Sequence, residues 1–86
     1  MTISHGRTFK KMFRKHPVFV RKKFYERICL FLQNPYHPIL NNHTLSGEWA
    51  RHRSINITGD IRVVYKQVTE SHVKLVAIGT HSELYS

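Results

Sequence analysis

Five side chains in this 86-residue sequence have the chemistry to move protons and hold phosphate: His43, Asp60, Arg62, His81 and Tyr85. Cleaving RNA without a metal needs a group that takes the 2′-hydroxyl proton, a cation that stabilises the phosphorane, and an acid for the departing 5′-oxygen. Histidine suits proton transfer because its reference pKa, about 6.5, lies near neutral pH. Arginine, aspartate and tyrosine can fill the remaining roles. Each residue also has an ordinary reading. Asp60 beside Gly59 is turn chemistry, His81 after Gly79-Thr80 can cap a terminal turn, Tyr85 can anchor the C-terminus, and His43 alone is a loop histidine.

These residues lie on or beside a sheet that the second half of the chain should form. Ile55, Ile57, Ile61, Val63, Val64, Tyr65, Val68, Val73, Leu75, Val76 and Ile78 make short strand-like runs, broken at Thr58-Gly59 and at Thr69-Glu70-Ser71-His72. Three strands joined by two hairpins follow. Opposed residues must share a face, so a three-residue loop at Thr58-Gly59-Asp60 is preferred, pairing Ile57 with Ile61, Ile55 with Val63 and Asn56 with Arg62. That register turns the isoleucines to the core and leaves Asn56, Arg62 and Lys66 on the other face. Residues 73–79 read as a central strand covered on both faces, and Ile3 begins an edge strand.

The first half should be helical. Phe9, Met12 and Phe13 fall at helical spacing until His16-Pro17 interrupts them. Val20, Phe24, Ile28 and Leu32 then recur every four residues, with Phe31 widening the stripe, up to Asn34-Pro35. From Asn34 to Gly47 the chain reads as an ordered loop, and Trp49 as a core residue at a strand's start.

Charge is concentrated in the same half. Residues 1–30 carry nine bases and one acid, and the rest carry five bases and four acids, so nearly all of the net +9 lies on the helices. Such an excess attracts polyanions, which makes Lys10, Lys11, Arg14, Lys15, Lys22 and Lys23 candidate contacts to nucleic acid or an acidic protein. Arg53, Asn56 and Lys66 are further candidate nucleic-acid contacts. The length allows one domain, residues 1–86. The single Cys29 excludes an intramolecular disulfide framework and a zinc ribbon, so the cytoplasm is the expected compartment. No apolar run approaches membrane-spanning length and no signal peptide is evident. The seven histidines form no metal-ligand motif, and no phosphate-binding glycine loop or G-x-S-x-G is present, so neither metal nor cofactor is expected.

Four blocks carry a family resemblance: His43 to Trp49; Arg53; Gly59 to Lys66; and Ile78 to Tyr85. In order and spacing they resemble the YafQ-like branch of the RelE superfamily of bacterial toxins. The resemblance implies an α+β fold, with two N-terminal helices packed on a three- to four-stranded antiparallel sheet. It also implies ribosome-dependent cleavage of mRNA by a toxin that an antitoxin holds inactive. By position, His43, Asp60 and His81 match acid/base residues, Tyr85 a C-terminal aromatic, and Arg62 a phosphate-stabilising arginine. Two positions depart from the pattern: Asn56 stands where the branch often has a histidine, and Ile61 where some members have tryptophan. Asn56 keeps open a non-catalytic protein that binds nucleic acid or antitoxin, and a metal-dependent nuclease is a third alternative.

Overall fold

Residues 1–85 are described by the structure, a computed structural model. The chain runs β1 (Thr2–His5), α1 (Arg7–Arg14), α2 (Val18–Gln33), β2 (His43–Thr44), β3 (Arg53–Asn56), β4 (Ile61–Thr69), β5 (His72–Thr80) and α3 (His81–Tyr85). The strands make one sheet in the order β1-β5-β4-β3-β2.

Two strands change the expected sheet from antiparallel with three or four strands to five-stranded and mixed. The Ile3 segment does form an edge strand, but it pairs in parallel with β5, Ile3 opposite Val73. A parallel pair needs a long crossover, and α1 and α2 lie in the chain between the two strands. At the other edge His43 and Thr44, expected in a loop, pair with Ser54 and Arg53.

Pro17 stands at the N-cap of α2, where its fixed φ and missing N–H do no harm. Val20, Phe24 and Phe31 are buried while Leu32 is 46% exposed, contrary to the four-residue stripe. Helix geometry explains this: at about 100° per residue, Phe31 returns to within about 20° of Val20 and Leu32 drifts about 120° away. Phe24 meets Phe9 and Phe13 at ring-centroid distances of 5.5 and 4.9 Å, which ties α1 to α2. The core continues through Ile55, Ile57, Val63, Tyr65, Val73, Leu75 and Ile78 on the inner face of the sheet.

The β3–β4 hairpin has the register read from the sequence, Ile55 opposite Val63 and Asn56 opposite Arg62. Ile57 N–H donates to Ile61 O at 2.8 Å, and Thr58 Oγ accepts from Ile61 N–H at 3.0 Å, which fixes the turn. Between β4 and β5 the register slips, with Val64 opposite Ala77 but Tyr65 opposite Leu75. Val76 is therefore the extra residue of a bulge. The slip rephases β5: Val73, Leu75 and Ile78 join the main core, while Ala77 turns to the outer face with Val64 and Leu84. β5 is an interior strand, though Lys74 remains exposed.

Candidate active site

A cleft of about 460 Å³ opens on the outer face of the sheet, lined by Asn41, His43, Leu45, Ser46, Arg62, His81 and Tyr85. Four of the five candidate residues therefore meet. His43 arrives on β2, Arg62 on β4, and His81 and Tyr85 on α3.

The placement of His43 begins in the preceding loop. Asn42 Nδ2 donates to Pro35 O at 2.9 Å and to Tyr65 Oη at 2.8 Å, and its Oδ1 accepts from Arg53 Nε at 2.8 Å. Arg53 also lies over the Tyr36 ring, 5.4 Å from its centroid. Burial holds the Tyr65 phenol above its usual pKa, only partly countered by the bond from Asn42. Arg53 therefore points to the inner side, away from the cleft, and braces the loop. Just before β2, Asn41 adopts the left-handed conformation, φ 47° and ψ 48°, which asparagine tolerates better than most residues. Its carbonyl lies 2.7 Å from His43 Nδ1. A carbonyl only accepts, so Nδ1 carries the hydrogen and the neutral ring keeps its lone pair on Nε2.

α3 is held by two devices. Thr80 and Glu83 form a capping box: Thr80 N–H donates to Glu83 Oε1 at 2.8 Å, and Glu83 N–H donates to Thr80 Oγ at 3.1 Å. Gly79 leaves room for the returning carboxylate, since a Cβ there would lie 3.2 Å from Glu83 Oε1. The indole N–H of Trp49 then clamps the far end, donating to Leu84 O at 2.7 Å. Trp49 is half-buried in a 3-10 turn, so it acts as a brace for α3 more than as the start of a strand. Within α3 the His81 and Tyr85 rings meet edge to face at 4.7 Å, one helical turn apart. Tyr85 Oη is buried without a partner among the described residues.

The capping box gives a stability prediction. The Thr80 N–H, and after it the Thr80 hydroxyl, hold the Glu83 carboxyl below its usual range. A lowered folded-state pKa contributes stability that is complete above the unfolded value, about 4.3, and is lost as pH falls through the folded one. Thr80→Ala should cost about 1 kcal/mol in urea unfolding at pH 7. Glu83→Ala should melt below wild type at pH 7, and the gap should close at acidic pH; a gap independent of pH would disprove the carboxylate's part.

Asp60 does not join the cleft. It is exposed at the hairpin tip, and Arg62 reaches its backbone carbonyl, with Nη1 3.3 Å from Asp60 O. Asn56 shares the sheet row of Arg62 but lines a neighbouring cavity. Lys66 is exposed further along β4, and Lys10, Lys11, Arg14, Lys15 and Lys22 are exposed on the helices. Lys23 is partly exposed and pairs with Glu26 at 3.3 Å, the one ion pair among the described residues. No three His, Cys, Asp or Glu side chains among those residues come together as a metal-binding group. No helix among them is long and apolar enough to cross a membrane. The sequence reading missed Asn41, Leu45 and Ser46 in the cleft. The capping box was legible as Thr80-x-x-Glu83.

Two helices against a mixed sheet, with a histidine- and arginine-bearing cleft beside a capped C-terminal turn, make the molecule a small α+β protein with its candidate site on the outer face of the sheet. The chain belongs to the YafQ family: the model for the bacterial toxin of type II toxin-antitoxin systems, YafQ, matches residues 1–86. Among solved structures it is similar to YafQ from E. coli, with 21% identity, a TM-score of 0.79 and coverage of 98% of this chain and 97% of that one. A metal-bound toxin from Helicobacter pylori shares 26% identity, with a TM-score of 0.75 and 99% of each chain covered. The E. coli DinJ-YafQ complex aligns at 20% identity and a TM-score of 0.72, over 98% and 97%. No curated protein matches significantly by sequence.

Proposed function

We propose that this toxin is a metal-independent endoribonuclease that cuts mRNA at the ribosome, in the cytoplasm, and that an acidic antitoxin protein holds it inactive. The observation that carries the reading is the convergence of His43, Arg62 and His81 on one cleft. With its Nδ1 hydrogen engaged by Asn41 O, His43 offers Nε2 to take the 2′-hydroxyl proton. It is better placed for this than Asp60, whose carboxylate lies outside the cleft. The 2′-oxygen attacks phosphorus, Arg62 stabilises the phosphorane, and His81 protonates the 5′-oxygen as its bond to phosphorus breaks. Tyr85 packs against the His81 ring and orients it. Lys10, Lys11, Arg14, Lys15 and Lys22 present the positive surface for ribosomal RNA or an acidic antitoxin segment. The solved DinJ-YafQ complex supports a protein partner of the second kind.

The test is a defined translation system with a labelled mRNA, run with and without ribosomes and read by primer extension and end-group analysis. Discrete cuts that require ribosomes, leave a 5′-hydroxyl and persist in EDTA are expected. A 5′-phosphate would mean attack by water and overturn the mechanism. Loss of cutting in EDTA would overturn metal independence. No cuts from folded protein would leave a binding protein.

A further inference from the structure

A second cleft, of about 370 Å³, lies between α2 and the β3–β4 turn, lined by Lys23 and Arg27 from the helix and by Asn56, Ile57, Thr58 and Gly59 from the hairpin. One lining residue links it to the first: Asn56 is the cross-strand partner of Arg62. Among the described residues the edge of β3 is open here, since β2 pairs with Arg53 and Ser54 only.

Its polar groups are of two complementary kinds. Arg27 Nε donates to Ile57 O at 3.3 Å, which fixes the guanidinium at the cleft while its terminal nitrogens make no hydrogen bond or ion pair among the described residues. Lys23 lies beside it, and its contact with Glu26 joins two well-exposed side chains, weak enough for a phosphate to displace. Asn56 also lines the cleft, and its Oδ1 is buried with no hydrogen-bond partner among the described residues, which leaves an unmet acceptor beside these cations. Cations beside an unmet acceptor suit a ligand that carries both an anion and a donor. A nucleotide has both, in its phosphate and in a base N–H or sugar hydroxyl, and the volume lies in the range of about 300–1,000 Å³ usual for small-ligand sites.

We propose that this second cleft is a nucleotide subsite, which holds the residue next to the cut with its phosphate on Lys23 and Arg27 and a base or sugar donor on Asn56. The assignment rests on the cleavage reading above, and it gives Asn56, an amide that cannot shuttle protons, a part in recognition. The strand would leave the first cleft past Arg62 and cross the open edge of β3.

The test is amide NMR titration of the protein with a mixed-sequence 2′-deoxy trinucleotide, which cannot form the attacking 2′-oxyanion, and with a mononucleotide. The trinucleotide should shift the amides of His43 and His81 and also those of Thr58 and Gly59, whereas the mononucleotide should shift one set only. Lys23→Gln and Asn56→Ala should each weaken the trinucleotide about 3- to 10-fold relative to the mononucleotide, and Lys23→Gln should flatten the salt dependence by about 0.7 per lost phosphate contact. Arg27→Ala also removes the brace on Ile57, so the exposed Lys23 is the primary variant. Shifts at His43 and His81 alone would overturn the subsite and leave the cleavage reading standing. Shifts at Thr58 and Gly59 alone would keep a nucleotide site and refute the active cleft. No shifts at either would overturn the subsite.

Discussion

His81→Ala should slow ribosome-dependent mRNA cleavage by a factor of about 10² to 10⁴, the usual worth of a positioned general acid. The fold should be untouched, because the His81 side chain is exposed and α3 is held by Thr80, Glu83 and Trp49. Far-UV circular dichroism and the urea midpoint should therefore match wild type. An unchanged rate would remove His81 from the mechanism and shift the proton to another donor in the cleft. Cleavage by His43→Ala should fall by a similar factor.

Phe24→Ala should cost about 3–5 kcal/mol, the range for deleting a buried aromatic ring. Phe24 is 1% exposed and packs within 4.9–5.5 Å of Phe9, Phe13 and Tyr25, so its loss empties the junction of α1 and α2. Small domains have only about 5–15 kcal/mol in total and bury a modest fraction of their surface. The loss is therefore a large part of the total, and the urea midpoint should fall steeply. Leu32→Ala is the control: on the exposed side of the same helix it should change stability by less than about 0.5 kcal/mol. Equal effects at the two positions would refute the assignment of faces.

The parts of the fold legible in the sequence were those that local periodicity determines. The two helices and the β3–β4 register followed from spacing and facing, since a one-residue slip would have exposed Ile55 and buried Arg62. The parallel pairing of β1 was not legible: it joins residues seventy positions apart, Thr2 opposite His72, and no local pattern encodes that choice. The bulge at Val76 was equally hidden, because an unbroken run of apolar residues does not show where the alternation changes phase. In the site, His43, Arg62, His81 and Tyr85 line one cleft. The bracing role of Arg53 was not legible, because its partners Asn42 and Tyr36 lie in a loop without periodicity. Asp60 lies in the right turn, yet its side chain stands outside the cleft.

The position of β5 in the sheet bears on how the protein is made. Both β1 and β4 pair with it, and the residues that follow it complete the cleft. During synthesis the segments of β1, α1 and α2 are made before residues 72–85 exist, so β1 has no strand to pair with and the cleft lacks His81 and Tyr85. Sheet closure and assembly of the cleft are therefore one late event, and a pairing across such sequence separation is slow as well. A chain cut short before β5 has neither a finished sheet nor a complete cleft, so on the cleavage reading the nascent toxin is harmless to the ribosome that makes it until residues 72–85 emerge.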